Sequence, residues 1–535
     1  MRSNTRLVVV DVIATSGNGT PITDLKAEDF IVTENGKPQE VRNFSLEQPL
    51  AALSSQSPAQ PSRIPQLPAG VFTNAPSYKA ASVWNVILLD FLNSQVLSQA
   101  DLRQQLVKVL DKVPDAPVAI FVLTNRLYLL HDFSSNRAAL KQLILELKNN
   151  ASANLDNPKG GHEMERYSPS FIAALPPQLL ENLVRAEVRM TTANTAVRLR
   201  QTVEALNAVV RHLAALPGRK NLIWVSQAFP FSIEPGSIVR GFDSATGRGY
   251  DISVPTTANA LLDSQVAIYP IDPLGIQAPD EFDSANRHTD PIGRKQTDQS
   301  VSDLHYASDV THASVNELAE RTGGRAFYNV NDTGDAIVRS MRDGSTYYTL
   351  AYYPTDKKWD GKFRRIGVKV NRGGVKLRYR LGYFAIDPSV VTGTDKVRAE
   401  QAEVFQQAME LSAPVSTALI FQAKVIPPSP SHNDVVVNFL LQPGVVSMEK
   451  GADGQEQVSV ACAVRAFNEK GEPVNAAGNT MAGALKPEAR DQIMREGFPC
   501  RQVLELAPGK YFLRLGVRDN LSGRIGTADA SVVLP

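Results

Sequence analysis

Residues 83–94 read VWNVILLDFLNS, and this stretch decides the fold. The run 83–89 is almost continuously apolar and closes on Asp90. An apolar run of strand length without polar alternation reads as a strand buried on both faces. A helix signal follows: Ser98 as N-cap, Asp101 three residues on, then Leu102, Leu106, Val109 and Val113 at helical spacing. The same alternation continues downstream. Residues 117–123 (PVAIFVL) read as a second strand, 127–130 as a short third and 136–147 as a helix. Residues 177–215 are largely helical until Pro217-Gly218 stops them, and 221–225 (NLIWV) and 266–271 (VAIYPI) are further strands. Helix 309–321 ends at Gly323-Gly324 and enters strand 326–329, and a last helix covers 333–342. Apolar strands alternating with helices predict a doubly wound, Rossmann-like α/β domain over 81–343. In such a domain the ligand crevice lies beyond the strand carboxyl ends, at the switch point.

Outward from that domain the pattern turns to β. Residues 6–13 (RLVVVDVI), 29–33 and 41–44 read as strands, with Asn35-Gly36 as a hairpin turn. Residues 1–47 are too few to bury a core alone, and 345–387 is amphipathic strand. The two segments are therefore predicted to complete one β-sandwich, with the α/β domain inserted between them. The basic residues Arg365, Lys369, Lys376, Arg378 and Arg380 alternate with apolar ones and read as a solvated strand face, or else as a patch for an anionic partner. Residues 48–80 are a Pro/Ser-rich linker and 388–412 a polar, partly helical connector. Short strands separated by turns over 413–535 predict a second, C-terminal β-sandwich.

The chain has 535 residues, which at domain sizes of about 150 residues corresponds to roughly three to four domains. Its 43% hydrophobic and 21% charged residues fit a globular chain. Lys+Arg is 56 against Asp+Glu 55, so the basic excess of a nucleic-acid coat is missing. No apolar run reaches the ~18 residues of a membrane-spanning helix. Residues 1–10 contain no secretory leader, which leaves a cytosolic protein or a mature chain behind an initiator Met.

The motifs taken in order resemble a von Willebrand factor A domain: WNVILLDFLNS, VAIFVLTNRLYLLHDFSSN, LPGRKNLIWVSQAFP, VAIYPIDPLG and LAERTGGRAFYN. With VVVDVIATSGNGTPITDLKAEDFIVTENGKPQEV before them and YYTLAYYPTDKKWDGKFRRIGVKVNRGGVKLRYRLGYFA after, residues 6–386 resemble the von Willebrand factor A-related proteins known mainly from acidobacterial genomes. The resemblance implies export to the periplasm or beyond, with the leader removed. It brings no established biochemical activity.

Many A domains hold a divalent cation at the switch point through D-x-S-x-S, a Thr on a second loop and an Asp on a third. Oxygen ligands of that kind suit Mg²⁺ or Ca²⁺. Here Asp90 and Ser94 match, Leu92 replaces the middle Ser, and Ser226-Gln227-Ala228 lacks the expected Asp. No loop Thr can be placed, because 177–215 runs as helix through Thr195 and Thr202. Asp272 ends the fifth strand, one strand from the usual position. The expected site is thus Asp90, Asn93, Ser94, Ser226 and Asp272, with Asp90 and Ser94 as a degenerate metal pair that binds Mg²⁺ or Ca²⁺ weakly or not at all. The plainer role for Asp90 is a cap on the following backbone N–H groups.

Other chemistry is sparse. His162-Glu163 lacks the second His of H-E-x-x-H, and His288, His305 and His312 share one polar region at no recognised ligand spacing. No nucleophile elbow or phosphate loop occurs. The only cysteines, Cys462 and Cys500, are read as a disulfide of an exported chain, the alternative being two buried thiols. The bond would close a 38-residue loop, contributing about 3–4 kcal/mol. The expected function is a non-enzymatic exported binding or scaffold protein whose A-like domain serves protein–protein interaction or adhesion, with partners in the cell envelope or outside the cell. The alternative is a hydrolase-type enzyme with its site in the switch-point crevice.

Overall fold

The computed structural model describes residues 7–49, 67–78, 81–94, 96–112, 117–147, 175–229, 238–243, 248–273, 315–330, 332–386, 395–428, 434–451 and 454–534. Its central sheet runs in the order Val266–Ile271, Arg219–Val225, Val83–Asp90, Val118–Leu123 and Leu127–Ser134. The first four strands are parallel, and the last is an antiparallel edge. Every residue of Val83–Asp90, Val118–Leu123 and Arg219–Val225 is buried, as strands covered on both faces must be. One face packs on helix Pro177–Leu213 through Leu206, Val209 and Leu213. The other packs on helices Val96–Val109, Arg137–Glu146 and Thr333–Arg342 through Leu106, Ile144 and Ile337. Asn136 and Asp332 cap the last two helices by accepting from Ala139 N (3.2 Å) and Asp335 N (3.1 Å). Helix Val96–Val109 begins two residues before the expected cap Ser98. Of the expected helix 309–321, residues 315–321 are described, and the helix runs on to 322.

The expected sixth strand is reduced to a single parallel bridge, Ile271 to Phe327. The approach there requires Gly324: a Cβ on it would lie 1.9 Å from Ile268 O. A hairpin of Ile238–Asp243 and Arg248–Ser253 is an addition that the sequence pattern did not reveal.

Strands from both ends of the central domain pair with each other. Val8–Thr15 lies between Tyr347–Tyr352 and Lys376–Arg378, and Val41–Glu47 completes that sheet. The facing sheet runs Gly382–Phe384, Phe363–Val370, Phe30–Glu34, Lys37–Gln39. Asn35 (φ 48°) and Gly36 (φ 80°) make the turn between the last two. Val10, Val12, Phe30, Val32, Leu350 and Val368 fill the core. Of the basic residues expected on one solvated face, Arg365, Lys369 and Lys376 are exposed, but Arg378 is half-buried and Arg380 is buried. Arg364 and Arg380 are buried, Arg364 pairs with Asp356 and Asp360, and Arg378 pairs with Asp343. Strand alternation places Arg378 and Arg380 against the α/β domain rather than against water.

The C-terminal sandwich has one sheet of Phe498–Leu504, Val435–Leu441, Phe421–Ile426 and Val71–Thr73. Val71–Thr73 pairs with Phe421–Ile426, so part of the expected 48–80 linker is a strand of this domain. Asn74 holds the junction by donating to Ser416 O (2.8 Å) and Leu419 O (2.9 Å) and accepting from Phe421 N (3.0 Å). Three residues beside a Pro-rich run carry no periodicity, which is why the sequence hid this strand. The second sheet contains Glu449–Lys450, Glu456–Phe467, Gly509–Asp519 and Ile525–Leu534, with Pro473–Leu485 added along Glu456–Phe467. The Cys462–Cys500 disulfide joins the two sheets. Helix Asp395–Ala408, expected as a connector, docks on this domain through Phe405, Ala408 and Met409. The fully buried Arg514 fastens its end, donating to Ala408 O (3.0 Å), Ala413 O (2.9 Å), Pro414 O (3.0 Å) and Asp529 (2.8 Å).

Candidate functional site

Strand Val83–Asp90 sits at the centre of the sheet, with Arg219–Val225 on one side and Val118–Leu123 on the other. The chain therefore reverses direction across the sheet between the ends of the first two, and Asp90 and Ser226 stand at that switch point. Phe91 N and Leu92 N both donate to Leu123 O (2.8 and 3.0 Å), which turns the chain sharply after Asp90. The turn brings Asn93 back onto the carboxylate. Asp90 Oδ1 accepts from Asn93 N (2.9 Å), and Oδ2 accepts from Asn93 Nδ2 (2.9 Å), Trp224 Nε1 (3.0 Å) and Ser226 Oγ (3.0 Å). Asp90, Asn93, Trp224 and Ser226 are all fully buried. Burial pushes the Asp90 carboxyl above its ordinary range, against the pull of these four donors.

Helix Pro177–Leu213 supplies two further residues: Thr202, which the sequence set aside as helical, and Arg198, which no motif singled out. Thr202 is fully buried, and its Oγ1 accepts from Asn93 Nδ2 (3.1 Å). One turn earlier, Arg198 is 6% exposed, and its charge acts on Asp90. Burial pulls the Arg198 guanidinium below its ordinary range while Asp90 holds it up. Arg198 Nε and Nη1 and Asn93 Oδ1 are buried without hydrogen-bond partners. Helical spacing of four from Thr202 is the one sequence signal that would have found Arg198.

This donor set does not suit a hard cation. Two N–H groups and a hydroxyl already point at Asp90 Oδ2. Ser94 Oγ accepts from Gln227 N (3.3 Å), and Leu92 is packed in the apolar core. Six or more oxygens would have to converge where nitrogen donors now stand. Asp272 follows strand Val266–Ile271, whose last carbonyl accepts from Ser226 N (3.1 Å), and its own backbone N donates to Phe327 O (2.9 Å). Four of the five expected residues, Asp90, Asn93, Ser94 and Ser226, are therefore brought together, and Asp272 is not among the hydrogen-bond partners of Asp90. The histidines His162, His288, His305 and His312 lie outside the described residues. Among the described residues no group of three or more His, Cys, Asp or Glu is placed to hold a metal.

The opposite ends of the same strands carry a second buried polar network. Arg219 donates to Tyr269 Oη (3.1 Å), Gly323 O (2.7 Å) and Asn221 Oδ1 (3.3 Å). Asp11, from the first sandwich, accepts from Gln265 Nε2 (2.9 Å) and Thr349 Oγ1 (3.3 Å). A small cavity lies between Asp11, Arg219, Gln265 and Arg380. Burial pushes the Lys220 ammonium down to about 8, with Asp11 opposing, and raises the Asp11 carboxyl, with Arg219 opposing. At the other flank His212 bridges Val415 O (2.8 Å) and Asp132 Oδ1 (3.2 Å), and Thr417 N donates to Arg211 O (2.8 Å). The bonds to Val415 and from Thr417 join the α/β domain to the C-terminal sandwich.

No protein-family model and no curated protein matches the chain. Among solved structures it is similar to a von Willebrand factor type A protein from Catenulispora acidiphila, at 10% identity over 69% of this chain and 82% of that one, with a TM-score of 0.24. The VWA2 paralogue of ArnB from Sulfolobus acidocaldarius shares 8% identity over 99% of this chain and 75% of that one, with a TM-score of 0.23. An aerotolerance-related membrane protein from Bacteroides fragilis shares 13% identity over 49% of this chain and 98% of that one, with a TM-score of 0.24. At these identities and scores the likenesses carry no argument about activity.

Proposed function

We propose that the chain is a non-enzymatic binding or scaffold protein of an oxidising compartment, with a von Willebrand factor A-type central domain that recognises other proteins without a resident cation. The observation that carries this reading is the closed shell around Asp90, whose carboxylate is occupied by four internal donors and faced by Arg198. Recognition then rests on surface shape and hydrogen bonds, so it is indifferent to chelators. The Cys462–Cys500 bond supports an exported or envelope location, because such bonds persist where thiols are not kept reduced. A hydrolytic site has less support. Ser226 Oγ and Asp90 are within hydrogen-bond reach, but both are fully buried, and the single O–H is shared between Asp90 Oδ2 (3.0 Å) and Ala228 O (2.7 Å). A nucleophile needs access to substrate and a base that is free to take its proton.

The test is capture from a cell-envelope extract on the immobilised full chain, with and without EDTA. The expected result is recovery of envelope proteins in equal yield in both. Recovery of cytosolic proteins alone, or loss of capture in EDTA, overturns the reading.

A further inference from the structure

Strand Pro473–Leu485 is thirteen residues long, roughly 43 Å, and forms the edge of its sheet. It pairs with Glu456–Phe467 along its whole length, and its other edge pairs with no strand among the described residues. Ten of its residues are exposed, and only Ala477, Met481 and Leu485 are half-buried. Its sequence, PVNAAGNTMAGAL, carries no charge, and Pro stands only at its first position. Exposed edges are ordinarily blunted by Lys, Pro, bulges or shortness, because unpaired backbone groups recruit another strand. The one irregularity here falls at Ala466/Phe467, where Val474 has no partner opposite it, and leaves 475–485 in regular register.

We infer that this edge is a homodimer interface, in which two copies of the chain join their sheets by antiparallel pairing of Pro473–Leu485 about a two-fold axis at Asn479. The occupant follows from what that register places opposite what. A two-fold axis perpendicular to the sheet keeps inner faces together, so opposing residues sum to twice the axial number. Ala477 then meets Met481 of the other copy, twice, and these are the half-buried apolar residues of the inner face. On the outer face Ala476 meets Ala482, and Gly478 meets Thr480. Glu472 precedes the strand and Lys486 follows it, so antiparallel pairing brings residues of opposite charge near each other at both rims. The register therefore contains no like-charge pair, carries opposite charges at its rims and brings two apolar pairs together inside. A register centred one residue later would instead oppose Val474 with Lys486 and Asn475 with Leu485.

The experiment is sedimentation equilibrium of the full chain across the micromolar range, with two double variants whose folding is checked by circular dichroism. The wild type is expected to sediment with twice the chain mass. A476E/A482E places Glu opposite Glu at two sites in this register, and the dimer is lost. A476E/A482K places Glu opposite Lys at the same sites, and the dimer is kept. Both substituted positions are exposed in the single chain, so neither variant disturbs the core. A monomeric wild type, which would leave the edge to an extended segment of a different protein, overturns the inference. So does a double-Glu variant as dimeric as the wild type, or equal loss of the dimer in both variants.

Discussion

The two ends of the strand Arg219–Val225 solve the same problem, a buried polar group, in opposite ways. At the carboxyl end Trp224 and Ser226 direct neutral donors onto one carboxylate, and a single cation, Arg198, stands behind it. At the amino end Arg219 and Lys220 are themselves buried, and the partners come from elsewhere: Asp11 from the first sandwich, Asp343 and Gly323 from the far side of the α/β domain. The difference teaches where this molecule tolerates charge. The end where α/β sheets usually hold ligands is closed by short-range hydrogen bonds, and the ionic groups are concentrated where two domains join.

The sharpest way to break that contrast is at the amino end. Arg219→Met keeps the volume of the side chain but removes three hydrogen bonds and the charge that most offsets the burial of Asp11. Leaving a buried charge without its partner costs about 3–5 kcal/mol, and urea unfolding should show a loss of that size. A loss below 1 kcal/mol, about the value of a single net hydrogen bond, would mean that the network is ornamental.

Lys220 gives the next largest effect, and its sign is fixed. Its folded-state value of about 8 lies below its ordinary 10.5, so the folded chain binds fewer protons than the unfolded chain between these values. Its burial therefore destabilises at neutral pH, and the penalty fades as pH rises through that window. Lys220→Met should be more stable than wild type at neutral pH by up to about 3 kcal/mol, with the difference closing near pH 10.5. Comparing the two proteins cancels the titration of other groups, the tyrosines included. A difference that does not change with pH would sink the assignment.

At the carboxyl end the effects are smaller because each bond is one of four. Ser226→Ala removes one neutral donor from Asp90 and should cost about 1–2 kcal/mol in the same assay. The smallest expected effect is none: millimolar Mg²⁺ or Ca²⁺ should leave the thermal midpoint unchanged, since nothing that fails to bind the folded state stabilises it. An upward shift that Asp90→Ala abolishes would restore a cation site and erase the contrast between the two ends.

The parallel strands were legible because burial on both faces leaves one signal, a short run such as VAIFVL, that competes with nothing else. The half-buried strands of the first sandwich were legible for the complementary reason, alternation with period two. Pro473–Leu485 was not, because an edge made of Ala, Gly and Asn has neither period. In the site, Asp90, Asn93 and Ser94 are neighbours in sequence and could be grouped by motif. Trp224 read only as a core residue, and its indole N–H gained a role once the strand stood beside Asp90. Thr202 and Arg198 lie within a 37-residue helix, where nothing local separates a residue facing the site from one facing the core. Arg378 and Arg380 misled for the same reason: alternation tells which face a side chain takes, not what covers that face.

The short strand Val71–Thr73 has a consequence for how this molecule is made. The chain begins in the first sandwich, crosses to the C-terminal one at residue 71, builds the α/β domain, returns to the first sandwich at 347 and only then completes the last. As the chain leaves the ribosome, Val8–Thr15 waits more than three hundred residues for Tyr347–Tyr352, and Val71–Thr73 waits as long for Phe421–Ile426. The α/β segment is the one domain whose strands arrive together, so synthesis completes the middle of the molecule before either side. Both flanks spend most of translation as unpaired edges, and the cell must keep those edges apart until the second half of the chain arrives.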